Sequence, residues 1–307
     1  MTAKTTLVLG GTGKTGRRIV EQLAARKVPV RVGSRSATPS FDWENRGTWP
    51  AALADVDAIY ISYYPDLAAP GATDAIRALT DLAVRSGVRR LVLLSGRGEP
   101  EAQRCEEIVK NSGAQWTVLR CSWFNQNFSE NYLLEPILAG EVALPAPNVG
   151  EPFVDADDIA DAAVAALTDD KHAGQLYELT GPRLLTFAEA IAEIARASGR
   201  EIRYVQVSME DYVAVLEQVQ LPPDFVALIK YLFTEVLDGR NAYLTDGVHR
   251  ALGRAPRDFA DYARRAAASG AWDDVKTAPA LTISARAERA GRGHGGGASV
   301  SLTPLRS

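Results

Sequence analysis

The chain has 307 residues, of which 46% are hydrophobic, and a formal net charge of −4. That length suits one large domain or a domain with an appended lobe, and the apolar fraction supplies a substantial core. The slight acidity, with no basic block in the body of the chain, argues against a nucleic-acid partner; the absence of any span-length apolar stretch or signal peptide argues against a membrane and for a cytoplasmic location.

Residues Thr5 to Arg18 read TTLVLGGTGKTGRR: a short apolar run, then Gly10, Gly13 and Gly16 at three-residue spacing, then a helical pattern. A strand that stops on glycines and restarts as a helix presents backbone N–H groups at a helix N-terminus, whose partial positive charge attracts phosphate. The glycines permit a tight turn, approach of a pyrophosphate and close packing of helix on strand. Gly10, Thr12, Gly13, Lys14, Thr15 and Gly16 are therefore expected to hold a dinucleotide. Gly16, Ile19, Val20 and Leu23 recur at helical spacing, and Val28 to Val32 is a β-branched second strand. Gly33, Ser34 and Arg35 stand at its end, where an NAD-binding chain carries Asp or Glu for the ribose 2′-hydroxyl. A hydroxyl and a guanidinium suit a 2′-phosphate, which a carboxylate would repel, so NADPH is expected in preference to NADH.

Phe41-Asp42-Trp43 forms an extended patch, with Asp42 placed to accept from the adenine amino group and Trp43 to flank the ring. Trp49 to Leu53 reads as a short helix and Asp57 to Ser62 as a buried strand, closed by Tyr63, Tyr64 and Pro65. Ligands of open α/β sheets lie at that carboxyl edge, which makes Ser62 a cofactor contact and the two tyrosines pocket lining. A helix between Pro70 and Ser86 leads to a strand from Arg90 to Leu94, which ends in Ser95-Gly96-Arg97-Gly98 and places Ser95 at the cofactor. A helix from about Glu99 to Lys110 and a strand from Trp116 to Arg120 follow. Trp123, Phe124, Asn125 and Asn127 come next, as expected substrate or nicotinamide contacts. This alternation specifies an α/β fold of Rossmann type, a doubly wound parallel sheet.

The second half changes character. Asp155 to Leu167 opens with acids and is alanine-rich, a helix start with favourable dipole placement. Gln175 to Leu179 is a strand, Thr186 and Glu189 make a capping box before a helix to about Ala197, and Ile202 to Val207 is another strand. Two further helices span Ser208 to Gln220 and Asp224 to Leu237, the second apolar enough to cover the main sheet or to lid a pocket. Residues 1–150 are thus expected to form the dinucleotide-binding domain, with the chain crossing back around 151–182, and 183–275 a smaller α+β substrate lobe. The Gly-, Ser- and Arg-rich stretch 276–307 reads as a disordered tail, its His294 a matter of composition. Cys105 and Cys121 have neither metal-ligand nor disulfide-framework spacing, so they read as inert thiols, and no metal site is expected.

GGTGKTGRR at 10–18, the stretch 95–128 and PFVDADDIADAAVAALTDDKHAGQLYELTGP at 152–182 resemble the NmrA-like branch of the atypical short-chain dehydrogenases. More narrowly, GGTGKTG, VGSRS, FDW and SWFNQNFSE are similar to the ergot alkaloid biosynthesis reductase family, that of festuclavine synthase and agroclavine dehydrogenase. The resemblance covers about residues 5 to 275. It implies NADP(H) and a C-terminal substrate lobe.

Short-chain dehydrogenases commonly place a Tyr-x-x-x-Lys pair on the helix after the fourth strand, where the lysine lowers the tyrosine pKa. Here those positions fall on Gly98 and Ala102, and neither can donate a proton. Ser95, Tyr63 and Tyr64 are the candidate donors by position. An iminium substrate is already cationic, so hydride addition gives a neutral amine without an acid, and Tyr63, Tyr64, Trp123 and Phe124 offer aromatic faces to such a cation. The reading is an NADPH-dependent imine or iminium reductase. Its alternatives are an NADP(H)-binding redox sensor without turnover and a quinone-type reductase.

Overall fold

Short β-branched runs separated by amphipathic helical periods build parallel strands, because each strand is followed by a crossover that returns the chain to the same edge. The computed structural model describes residues 5–273, 283–286 and 299–302. In chain order it begins with β1 (Thr5–Leu9), α1 (Lys14–Ala25), β2 (Val30–Gly33), α2 (Trp49–Leu53), β3 (Val56–Ile61) and α3 (Ala72–Arg85). Then come β4 (Arg90–Gly96), α4 (Pro100–Lys110), β5 (Gln115–Cys121), α5 (Leu134–Leu138), β6 (Glu141–Leu144), α6 (Ala156–Thr168) and β7 (Gln175–Leu179). The chain continues through α7 (Phe187–Ser198), β8 (Arg203–Gln206), α8 (Met209–Gln218), α9 (Pro223–Tyr231), α10 (Gly247–Leu252), α11 (Phe259–Ala268), β9 (Ile283–Arg286) and β10 (Ser299–Leu302).

The described chain divides into two units. The first comprises the chain up to Phe124, Pro152–Pro182 and Tyr243–Arg257. Its sheet runs β2-β1-β3-β4-β5-β7, all parallel, so six carboxyl ends share one edge. The order reverses between β1 and β3, the switch point at which such sheets open a crevice. Period two along the strands sorts the core. Leu7, Ile59, Ile61, Leu91 and Leu93 face α2, α3 and α4, while Val8, Tyr60, Val92 and Leu119 face α1 and α6.

The second unit holds Asn125–Glu151, Arg183–Ala242 and the chain from Asp258 onward. There β6 pairs in parallel with β8, and Thr186 and Glu189 close the capping box at the start of α7. Aromatic residues fill its interior: Phe128 packs on Phe187 and Phe259, and Phe233 on Phe187 and Tyr212. The helix expected from Asp224 to Leu237 is α9 followed by a wider π turn, Leu232–Val236. The division is finer than a cut at residue 150. Residues 125–151 belong to the second unit because β6 pairs with β8. Residues 243–257 return to the first, where α10 packs on β7 and α6. The 276–307 stretch lies outside the described residues apart from β9 and β10, which pair antiparallel, and His294 lies outside them.

Candidate active site

The glycine turn joins β1 to α1 tightly. Gly10 adopts a φ of 66°, which a side chain would strain. Its N–H donates to the Gly33 carbonyl at 3.0 Å, and the Gly13 N–H donates to the Gly10 carbonyl at 2.8 Å. Gly13 is the N-cap of α1 without a side-chain cap, and no acid lies in the first helical turn. Nothing acidic in that turn competes with an incoming phosphate for its N–H groups, which have no intrahelical acceptor. A Cβ on Gly16 would lie 2.8 Å from Gly11 Cα and closer still to the Gly10 carbonyl, so only glycine fits. Thr12 is exposed and Lys14 half-buried. Thr15 is buried instead, its hydroxyl oxygen accepting from the Tyr60 phenol at 2.9 Å. Its side chain is spent on the core, leaving its backbone N–H for the loop. Ser62 stands against the turn: a Cβ on Gly10 would lie 3.4 Å from the Ser62 hydroxyl oxygen.

At the end of β2, the Ser34 hydroxyl lies 3.3 Å from that of Ser36. Arg35 is exposed and makes no hydrogen bond or ion pair with another described residue. The Asp42 carboxylate accepts the Glu44 N–H at 3.1 Å, its carbonyl accepts the Trp49 indole at 2.7 Å, and its N–H donates to Thr48 at 3.0 Å. The first of these bonds closes an Asx turn. Trp43 is likewise engaged. It packs on Phe41, Trp49 and Tyr63 with ring centroids 5.0, 5.8 and 4.8 Å away, and its indole donates to the Ser62 carbonyl at 3.3 Å.

Past β3, Tyr63 is half-buried in that cluster, and burial, ahead of the Cys105 and Glu44 charges, pushes its phenol up. Tyr64 is 68% exposed. At the end of β4, Ser95 is 4% exposed and its hydroxyl donates to the Glu106 carboxylate at 2.7 Å. Arg120 holds both oxygens of that carboxylate, at 2.9 and 2.5 Å. Strand periodicity turns Ser95 to the α4 side with Leu91 and Leu93, away from a proton-donor role. Gly98 has a φ of 75° and Ala102 is buried in the core, so the usual dyad positions are vacant of chemistry.

Two features of this edge carried no signal in the sequence spacing. Arg97 is buried, donating to Glu178 at 2.6 Å and to Ser122 at 3.1 Å beneath the Tyr243 ring, and so clamps the ends of β4, β5 and β7. Glu99 folds back over Gly96: a Cβ there would lie 2.5 Å from the Glu99 carboxyl carbon and 2.7 Å from Oε2. Glu99 is 6% exposed, and its Oε2 has no hydrogen-bond partner. The carboxyl shares a hydrogen bond with Asp66, whose Oδ1 also accepts the Ala68 N–H at 2.8 Å. Burial, then the Asp66 charge and hydrogen bond, hold the Glu99 carboxyl well above the usual carboxylate range, with Glu101 and Glu106 adding to the effect. Asp66 is raised by burial but pulled back by the hydrogen bonds of Ala68 and Glu99.

Beyond β5, the Trp123 carbonyl accepts the Val154 N–H at 2.8 Å, and Phe124 bridges Val154 and packs on the apolar layer beside α6. In the second unit Asn125 is 0% exposed, and neither end of its amide has a hydrogen-bond partner. Leaving such a group unsatisfied costs about 1–3 kcal/mol, which makes Asn125 a ready handle for a ligand or water. Asn127 is half-buried. Cys105 and Cys121 are free and buried, and burial pushes both thiols up, away from reactivity. Among the described residues no group of His, Cys, Asp or Glu is placed to hold a metal, and no helix is long and apolar enough to cross a membrane.

The sequence pattern of a family described as NAD(P)H-binding matches residues 10–170, and that of the NmrA-like family matches residues 102–259. Festuclavine dehydrogenase of Aspergillus fumigatus is 32% identical over 281 residues, covering 85% of this chain and 97% of that protein. The NAD(P)H azoreductase of Xenophilus azovorans is 30% identical over 290 residues, covering 86% and 99% respectively. Among solved structures, the NADPH-dependent quinone oxidoreductase of Escherichia coli in complex with NADPH superposes with a TM-score of 0.69 at 21% identity, over 85% of this chain and 99% of that one, a kinship of fold.

Proposed function

This chain belongs to the NmrA-like family of NAD(P)H-binding proteins and is an NAD(P)H-dependent oxidoreductase; on that premise we propose that it uses NADPH to reduce an imine, an iminium or a related small hydrophobic acceptor without a Tyr/Lys dyad. The first-turn N–H groups of α1 and the Gly10–Gly16 turn would hold the pyrophosphate, with Ser62 beside them. Arg35 and Ser34 would hold the 2′-phosphate: the end of β2 carries no carboxylate, and the guanidinium is unengaged. A reduced nicotinamide bound there supplies a hydride.

The observation that carries the choice of acceptor is the vacancy of the usual acid. Gly98 and Ala102 occupy the dyad positions, and the Ser95 hydroxyl is committed to Glu106. Reduction of a ketone needs a donor for the developing alkoxide; reduction of an iminium does not. Tyr63 and Tyr64 at the end of β3, and Trp123 and Phe124 beyond β5, supply aromatic surface suited to a cation. The relative named an azoreductase supports an acceptor with a nitrogen-containing double bond.

NADPH oxidation, followed against cyclic iminium salts, imines, azo dyes, quinones and simple ketones, tests this reading. Saturable turnover of the nitrogen acceptors ahead of quinones and simple ketones is expected. Tight NADPH binding without turnover of any acceptor would leave a cofactor sensor and overturn the proposal.

A further inference from the structure

We propose that Glu99, whose buried carboxyl lies over Gly96 at the end of β4, is the general acid of this enzyme and delivers a proton to neutral imine acceptors. The proposal rests on the reductase reading above. Its first support is position. A dinucleotide whose pyrophosphate lies between β1 and α1, and whose adenosine end reaches Arg35 at β2, extends its other half over the ends of β3 and β4. Asp66 follows β3 and Glu99 follows β4. The Glu99 carboxyl rests on Gly96, the last residue of β4, and is the sequence neighbour of Gly98, where the usual tyrosine would stand.

The second support is the electrostatic surrounding. Glu99 is faced by Asp66 from the loop after β3 and by Glu101 and Glu106 from α4, all acids. The cations nearby are engaged elsewhere: Arg97 with Glu178, and Arg120 and Lys110 with Glu106. Burial among acids shifts a carboxyl toward its protonated form, the form a general acid uses. Its Oε2 has no hydrogen-bond partner within the protein.

The chemistry balances. For a neutral imine, hydride addition forms a C–H bond at carbon and moves the C=N π pair to nitrogen. An N–H bond forms there as the Glu99 O–H bond breaks. The acceptor gains two electrons, the nicotinamide is oxidised by two, and the Glu99 carboxylate recovers a proton from water. A cationic iminium bypasses the Glu99 step.

The test compares wild type with Glu99→Gln on a permanently cationic N-alkyl iminium and on a weakly basic N-aryl imine that is neutral in the assay. Glu99→Gln should lower kcat on the neutral imine by about 10²–10⁴-fold, far more than on the iminium. Wild-type kcat on the imine should fall as pH rises through the Glu99 titration. Asp66→Asn, which removes the neighbouring charge, should move that fall to lower pH. Carbon-13 NMR of labelled carboxyl groups in the cofactor-free protein should show one resonance protonated at neutral pH, absent from Glu99→Gln and titrating lower in Asp66→Asn. Equal losses on both acceptors, or an ionised Glu99 at neutral pH, would overturn the assignment. Failure of wild type to reduce either acceptor would instead bring down the reductase reading, and the assignment with it.

Discussion

Arg35→Ala isolates the cofactor preference, because Arg35 is exposed and touches no other described residue through a hydrogen bond or ion pair. The substitution therefore leaves the fold alone, with a stability change within about 0.5 kcal/mol. What it removes is the guanidinium proposed to bind the 2′-phosphate. Hydrogen bonds to a charged group contribute about 1.5–3 kcal/mol each, and exposure with salt screening holds the whole pair to about that range rather than twice it. At 1.4 kcal/mol per factor of ten, NADPH affinity should fall about 10- to 150-fold. NADH lacks the phosphate, so its affinity should change less than about twofold. Titration calorimetry of both nucleotides at low and at physiological ionic strength reads the ratio directly, and the NADPH loss should shrink at high salt. Equal losses for the two nucleotides would refute the assignment of Arg35 to the 2′-phosphate.

Three further outcomes follow from the geometry. Gly16→Ala forces a Cβ into the Gly10 carbonyl, and since backbone cannot yield as a side chain can, a destabilisation of about 1–3 kcal/mol by chemical denaturation is expected, together with loss of nucleotide binding. Ser95→Ala removes one hydrogen bond from Glu106 while Arg120 keeps its two, so denaturation should show a loss of about 0.5–1.5 kcal/mol with kcat largely retained; a kcat loss beyond tenfold would return Ser95 to the chemistry. Glu99 sets a pH dependence of stability. Its carboxyl titrates higher folded than unfolded, so the folded chain binds the extra proton and stability declines as pH climbs from about 4.3, the unfolded value, toward the raised folded one. Melting curves of wild type should fall relative to Glu99→Gln across that window, and parallel curves would contradict the shift.

The sheet was legible because its strands are apolar runs cut by glycine and separated by helical periods, and Trp49–Leu53 and Gln175–Leu179 fall on the residues their patterns mark. The Gly10–Gly16 turn was legible for a related reason: its geometry needs missing side chains at Gly10 and Gly16, and missing side chains are visible in a sequence. Ser95 shows that position at a strand end does not settle where a side chain points. It stands at the carboxyl edge, yet the parity of β4 turns it to Glu106, and parity could have been counted from Leu91 and Leu93. The bonds that Asp42 and Trp43 make, to Glu44 within the turn and to Ser62 after β3, are set by the folded loop and not by residue spacing. The β6–β8 pairing and the Asp66–Glu99 pair join segments far apart in the chain, and nothing in local spacing announces such a meeting.

The central claim is that this NmrA-like chain moves a hydride from NADPH to a carbon–nitrogen acceptor without the Tyr/Lys dyad. NADPH carrying deuterium at the transferable C4 position, mixed with a cyclic iminium salt, tests it most directly. Mass spectrometry and NMR of the product should place one deuterium on the carbon next to nitrogen for each nucleotide oxidised. Nucleotide that stays reduced, or an amine product free of deuterium, would contradict it.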